Sequence, residues 1–146
     1  MDVLQRNDWP EPDSGVMSAF NLTLHASDGP DAGSVRSWRA AEEWLPWDRF
    51  HAQVHTAYTP LLNCDSWKVA SPLVFPSSRF DNKAVQAVEV MARPRPVARP
   101  GAPAPAAVPD TALRPYSFTF CLERVDEGAY KDCWLITGVR IGNYGL

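Results

Sequence analysis

No stretch of this chain approaches the roughly 20 consecutive apolar residues that cross a bilayer, so insertion in a membrane as a helix is excluded. The N-terminus also lacks a basic segment followed by an apolar one, the mark of a secretory signal. Neither sign of charge dominates: 14 Lys and Arg stand against 17 Asp and Glu, a net charge of −3. A chain so balanced makes a poor partner for nucleic acid. Cysteine is sparse. Cys64, Cys121 and Cys133 are odd in number and have no CxxC spacing; they read as reduced and mostly buried thiols, with a Cys121 to Cys133 bridge between neighbouring strands as the minor alternative. Asn21-Leu22-Thr23 fits a glycosylation sequon, but without a secretory signal it reads as a chance tripeptide. Catalytic signatures are missing too: there is no GxSxG, no phosphate-binding glycine loop and no HExxH. TGVRIGNYG, residues 137–145, is glycine-rich, but no helix follows it, which excludes a dinucleotide loop. No internal repeat is visible.

What is present is an apolar, aromatic chain. With 146 residues, 45% hydrophobic and 11% aromatic, including six Trp, it has the size and composition of a single globular domain over residues 1–146. Its opening, MDVLQRNDWPEPDSGV, allows about one turn of helix from Val3 to Asn7 before Pro10 and Pro12 stop it, far below the roughly 12 to 15 residues at which an isolated helix becomes marginal. From Ser14 to Leu24, the loose alternation of Val16, Ser18, Phe20, Leu22 and Leu24 suggests an extended segment, either a strand or a loop with apolar anchors. Residues 25–46 form a variable region: a surface loop rich in Gly, Pro and Asp up to Ser34, then VRSWRAAEEWLP, which suits a short helix ended by Pro46. The clearest helix runs from Trp47 to about Tyr58. At 100° per residue, Trp47, Phe50, Val54, Ala57, Tyr58 and Leu61 fall within an arc of roughly 100°, a stripe suited to docking on a sheet.

Strands dominate the remainder. SWKVASPLVF, residues 66–75, places Trp67, Val69, Leu73 and Phe75 on one face, and Pro72 argues for an edge or a bulge. KAVQAVEVMA, residues 83–92, is β-branched but apolar on both faces, which leaves its register open. YSFTFCLERV, residues 116–125, turns Tyr116, Phe118, Phe120 and Leu122 one way and Ser117, Thr119, Cys121 and Glu123 the other. CWLITGVRI, residues 133–141, supplies its antiparallel neighbour through a turn at Gly128. Residues 93–115 hold seven of the fourteen prolines and read as a disordered hairpin insertion, because such a run can neither pair as a strand nor pack, with residues 94–112 removable at little cost in stability. Its Pro100 and Pro103 form a PxxP, but the basic residue that proline-binding modules require is missing on either side, so a passive loop is the expectation.

Three groups of side chains deserve weighing for chemistry. His51 and His55 are spaced i, i+4 on the helix from Trp47 to about Tyr58, a spacing able to present two imidazoles to one metal. No third ligand is evident nearby, so the pair is expected to be hydrogen-bonded or solvated and to bind no metal, and no cofactor is implied. Acid–base work needs an ionisable group in an apolar pocket; Asp81, Glu89, Tyr58 and the two helix histidines are the groups able to face one, and none is marked by a motif. Tyr58, Trp67, Phe118, Phe120 and Trp134 are candidates for lining a ligand pocket, against the simpler reading that they are core.

Taken together, LQRNDWPEPDSGVMSAFNLTL, WDRFHAQVHTAYTPLL and YSFTFCLERVDEGAYKDCWLITGV resemble the family labelled domain of unknown function 4864, found in photosynthetic organisms. The more specific elements are Asn7-Asp8 leading through Pro12 and Asp13 to Gly15, the Phe50 to Tyr58 helix ending in Leu61-Leu62, and Cys133-Trp134-Leu135. The resemblance implies an α+β, NTF2-like cone, a curved antiparallel sheet packed on helices. It implies also that VLQRND matches the end of a longer first helix, so that the chain begins inside that helix, packs loosely by itself, and would reach a plastid if a transit segment preceded it. It brings no catalytic residue. Two functions follow as expectations: a non-catalytic binding or assembly module, with a homodimer or another protein as partner, or a small-ligand binder or acid–base enzyme using the apolar cavity of the cone. Glu123 alternates away from Phe118 and Phe120, which favours the first.

Overall fold

The first helix is a single turn, α1, Asp2–Gln5, one residue earlier at its start and two at its end than the expected Val3 to Asn7, and it ends at Arg6 ahead of both prolines. In the computed structural model, which describes residues 1–26, 29–76, 81–94 and 112–142, α1 is followed by α2 (Ser14–Asn21), a two-stranded hairpin of β1 (Val35–Arg36) and β2 (Trp44–Leu45), α3 (Trp47–Ala57), a 3₁₀ turn (Thr59–Leu61), and strands β3 (Ser66–Val69), β4 (Lys83–Ala92), β5 (Arg114–Arg124) and β6 (Trp134–Ile141). The last four strands make one curved antiparallel sheet in sequential order β3-β4-β5-β6. The class is α+β. Among the described residues no helix is long and apolar enough to cross a membrane.

Pairing of β4 with β5 resolves the face that periodicity left open. Gln86 lies opposite Phe120, Val88 opposite Phe118 and Val90 opposite Tyr116, so the even-numbered residues of both strands share the inner face. Val88, Val90, Ala92 and Phe118 are buried there. The odd-numbered residues face outward, where Lys68 of β3 lies opposite Glu89 and pairs with it at 3.2 Å. β3 is an edge strand, as Pro72 argued. A register shift between Cys121 and Leu122 adds a local bend to the β5–β6 pair.

Against the inner face lies α3, whose Phe50 and Val54 are wholly buried, as its apolar stripe required. Trp38, from the turn of the hairpin, locks the layers together. Its ring meets Phe50 and Tyr58 edge-on at 5.3 and 5.2 Å between centroids, its indole donates to Thr23 Oγ1 at 3.0 Å, and its carbonyl accepts the Val139 amide of β6. Thr23 Oγ1 in turn donates to the Ala19 carbonyl, so the buried polar atoms of this junction are partnered.

Two local expectations are corrected. Ser14 to Asn21 is a helix, not an extended segment. The apolar residues that matter are Val16 and Ala19, both buried, and Phe20 packed on the core, a helical spacing hidden beneath an accidental alternation; Leu22 caps the helix in a helical conformation, and the backbones of Leu22 and Leu24 bond to Ile136 of β6. Residues 35–45 form a hairpin in place of the short helix. Ser37 Oγ accepts the amides of Arg39 and Ala40, and the Gln53 side chain accepts the Trp38 amide and donates to Ser37 Oγ. The local preference for helix loses to these side-chain bonds. The proline-rich insertion falls mostly on residues 95–111, outside the described residues; its last two residues, Arg114 and Pro115, already belong to β5. All three cysteines are free thiols: Cys64 is buried and Cys133 exposed.

Tyr58 ends α3 at 1% exposure, and its hydroxyl donates to the Val139 carbonyl at 2.6 Å. Burial pushes the phenol from its ordinary value of 10.0 up to about 12. The raised folded value means that this contribution to stability is full below pH 10 and is lost as pH rises through about 12. Melts or denaturant midpoints taken across that window should therefore fall more steeply for the parent than for Tyr58→Phe, the difference reaching roughly 3 kcal/mol. At neutral pH the variant should cost about 1 kcal/mol for its lost hydrogen bond. Parallel slopes would contradict the assignment.

Candidate functional site: a carboxylate between two histidines

Asp13 stands at the N-cap of α2 with a left-handed backbone, φ 59°, a conformation that Asp tolerates better than most residues. An N-cap carboxylate ordinarily accepts the amide two or three residues on. Here that work is done from elsewhere. The side chain of Asn7, 1% exposed, accepts the Val16 amide through Oδ1 at 2.9 Å, and the Asn7 carbonyl accepts the Gly15 amide at 3.0 Å. Asn7 Nδ2 donates to Asp13 Oδ1 at 3.0 Å, while Asp8 Oδ1 accepts the Asp13 amide and Asp8 Oδ2 accepts Asn63 Nδ2. The α1–α2 turn is thereby tied to the segment after the 3₁₀ turn, and the Asp13 carboxylate is freed to point at α3.

There it meets both histidines. His51 Nε2 lies 2.8 Å from Asp13 Oδ2 and His55 Nε2 lies 2.8 Å from Oδ1. The two imidazoles, one turn apart on α3, stand with centroids 4.4 Å apart, and Trp47 packs on His51 at 5.4 Å. All three polar side chains are about one third exposed. The His51 hydrogen bond, with those of Asn7 and His55, holds the Asp13 carboxyl down to about 2. An ionised carboxylate only accepts, so each Nε2 carries its proton in this arrangement. The donor atoms of the three residues lie within 4.8 Å of one another, a grouping that can hold a cation.

The ground for expecting no metal at the histidine pair, the want of a third donor, is thus removed by Asp13, which arrives from 38 residues away. No periodicity pointed to it; the available signal was the run of Asn7, Asp8, Asp13 and Gly15, polar and small residues crowded around a helix start.

The other predicted groups are dispersed. Phe118 packs near Tyr58 at 6.1 Å and Phe120 near Trp38 at 6.4 Å, both as part of the inner layer. Trp67 lies against α1, its indole donating to Asp2 Oδ1 at 3.3 Å, and Trp134 is exposed beside Phe75 at 6.2 Å. Asp81 is exposed and reaches Arg124 at 3.5 Å. Glu89 sits on the outer face with Lys68. Among the described residues, the shallow cleft of about 450 Å³ that touches Tyr58 is lined by Trp38, Arg39, Ala57, Val139, Arg140 and Ile141, without a carboxylate.

Comparison of the chain with protein-family models, with curated proteins and with solved structures finds no match.

The packing of Gly15 sets a strict test of this arrangement. A Cβ there would collide with the Val3 carbonyl and stand 2.8 Å from Asn7 Oδ1 and 2.9 Å from Asn7 Cα, mostly backbone that cannot yield. Gly15→Ala should cost about 3 kcal/mol and lower the melting temperature by roughly 10 °C. Gly138→Ala, whose Cβ would meet the Trp38 carbonyl only at 3.6 Å, should change stability by less than about 1 kcal/mol. Equal effects would mean that the α1–α2 contact is looser than drawn.

Proposed function

We propose that the chain is an NTF2-like domain of the kind represented by domain of unknown function 4864, and that it works as a non-catalytic binding or assembly module. Its contacts are made on its outside, with a second copy of the chain as the first partner to test. The observation that carries this reading is Tyr58. A phenol acting in a dry pocket directs its hydroxyl at the substrate and works beside a carboxylate. The Tyr58 hydroxyl is instead spent on the Val139 backbone, and among the described residues the cleft beside it holds no acidic side chain. Trp38, Phe50 and Phe118 fill the inner layer around it at 2% exposure or less. The resemblance in Asn7-Asp8, Asp13 to Gly15, Phe50 to Tyr58 and Cys133 to Leu135 supports the family, and the sequential curved sheet with α3 on its inner face supports the NTF2-like type.

Small apolar probes, benzene or indole, test the closed interior by thermal shift. The parent should show no saturable binding, whereas Phe118→Ala, which opens space beside Tyr58, should acquire it. Saturable binding by the parent, weakened about tenfold by Tyr58→Phe, would favour a ligand-binding or acid–base function instead. Sedimentation equilibrium tests assembly: the mass should rise with concentration from 16.2 kDa toward a dimer, and a constant monomer mass would remove the homodimer.

A further inference from the structure

We propose that Asp13, His51 and His55 form a three-donor site for a late first-row divalent cation of the zinc class, with its remaining coordination positions open to solvent. The donor set is two imidazoles and one carboxylate, which suits zinc and its neighbours and not magnesium or calcium, whose sites are built from oxygen. Two of the donors are one turn apart on α3, and the carboxylate of the third reaches each of them at 2.8 Å, His51 through Oδ2 and His55 through Oδ1. Zinc takes nitrogen and oxygen ligands at about 2.0 to 2.2 Å, and donor atoms of the three residues already lie within 4.8 Å of one another, a separation that side-chain adjustment closes onto one cation.

Each imidazole then carries its proton on Nδ1 and gives the Nε2 lone pair to the cation. The hydrogen bonds from Nε2 to the carboxylate are replaced by bonds to the metal, and Asp13 Oδ2 becomes the third ligand. Asp13 Oδ1 keeps the hydrogen bond from Asn7 Nδ2, 3.0 Å long, an outer-shell restraint of the kind that orients metal-binding carboxylates. The partial exposure of all three side chains gives the cation an entry path and leaves positions for water or an incoming ligand.

The experiment uses the full chain without an affinity tag, stripped with a chelator and titrated with zinc chloride alone at neutral pH. One zinc per chain should bind, and the melting temperature should rise by roughly 9 °C when zinc exceeds its dissociation constant a hundredfold. The chain has three histidines, so ring-nitrogen NMR of the parent decides the location: Nε2 of His51 and His55 should shift, and His25, stacked on Tyr130 at 5.5 Å, should not. His51→Ala and Asp13→Asn should each weaken binding at least about tenfold. Because Asp13 also joins two helices, the NMR of the parent stands even if a variant unfolds. No saturable binding below about 1 mM zinc, shifts at His25 alone, or undiminished binding by a folded His51→Ala, His55→Ala double variant would each overturn the site.

Discussion

The side chain of Asn7 is the constraint on which the N-terminal half depends. Buried at 1% exposure, it accepts the Val16 amide at the start of α2 and donates to Asp13. A helix of eight residues is too short to stand by itself, and α1 is shorter still. What holds them is a polar knot in which each buried donor finds an acceptor, and leaving any of these unmade costs about 1 to 3 kcal/mol. Gly15 belongs to the same constraint, since only a residue without Cβ lets α2 begin against the Val3 carbonyl. The knot also turns the Asp13 carboxylate toward α3, so the local structure of the turn and the chemistry of the site have one cause.

The rest of the fold is apolar layering. The four-stranded sheet presents Val88, Val90, Phe118 and Val139 inward, and α3 returns Phe50 and Val54. Trp38 bridges the layers through its ring, its indole and its backbone, so a residue from a two-stranded hairpin fixes the height of α3 above the sheet. Tyr58 closes the same layer with a hydrogen bond to β6. These aromatic edges leave the polar work to the periphery, where the Asp13 cluster lies.

Elements with an undivided pattern were legible. The stripe from Trp47 to Tyr58 placed α3 within one residue, and the strict alternation of Tyr116, Phe118 and Phe120 set the inner face of β5. β4 was not readable alone because both its faces are apolar, and only pairing with β5 selects Val88 and Val90. α2 was misread because its helix start is capped from Asn7, nine residues away from Val16, while the residues 35–45 hairpin is held by Ser37 and Gln53 against a helix-forming composition. Within the site, the histidine spacing was visible and its meaning was not, since the carboxylate that completes it is brought in by tertiary structure. The proline-rich reading of residues 93–115 lies mostly outside the described residues.

The central claim is that Asn7 and Asp13 act as one unit that both starts α2 and aims the carboxylate. A double-mutant cycle with Asn7→Ala and Asp13→Ala, read by denaturant unfolding of the parent, the two single variants and the double variant, tests it most directly. The account predicts that the double variant loses at least about 1 kcal/mol less than the sum of the single losses, as expected for partners in one hydrogen-bond network. Losses that add to within about 0.5 kcal/mol, the behaviour of independent sites, would contradict it.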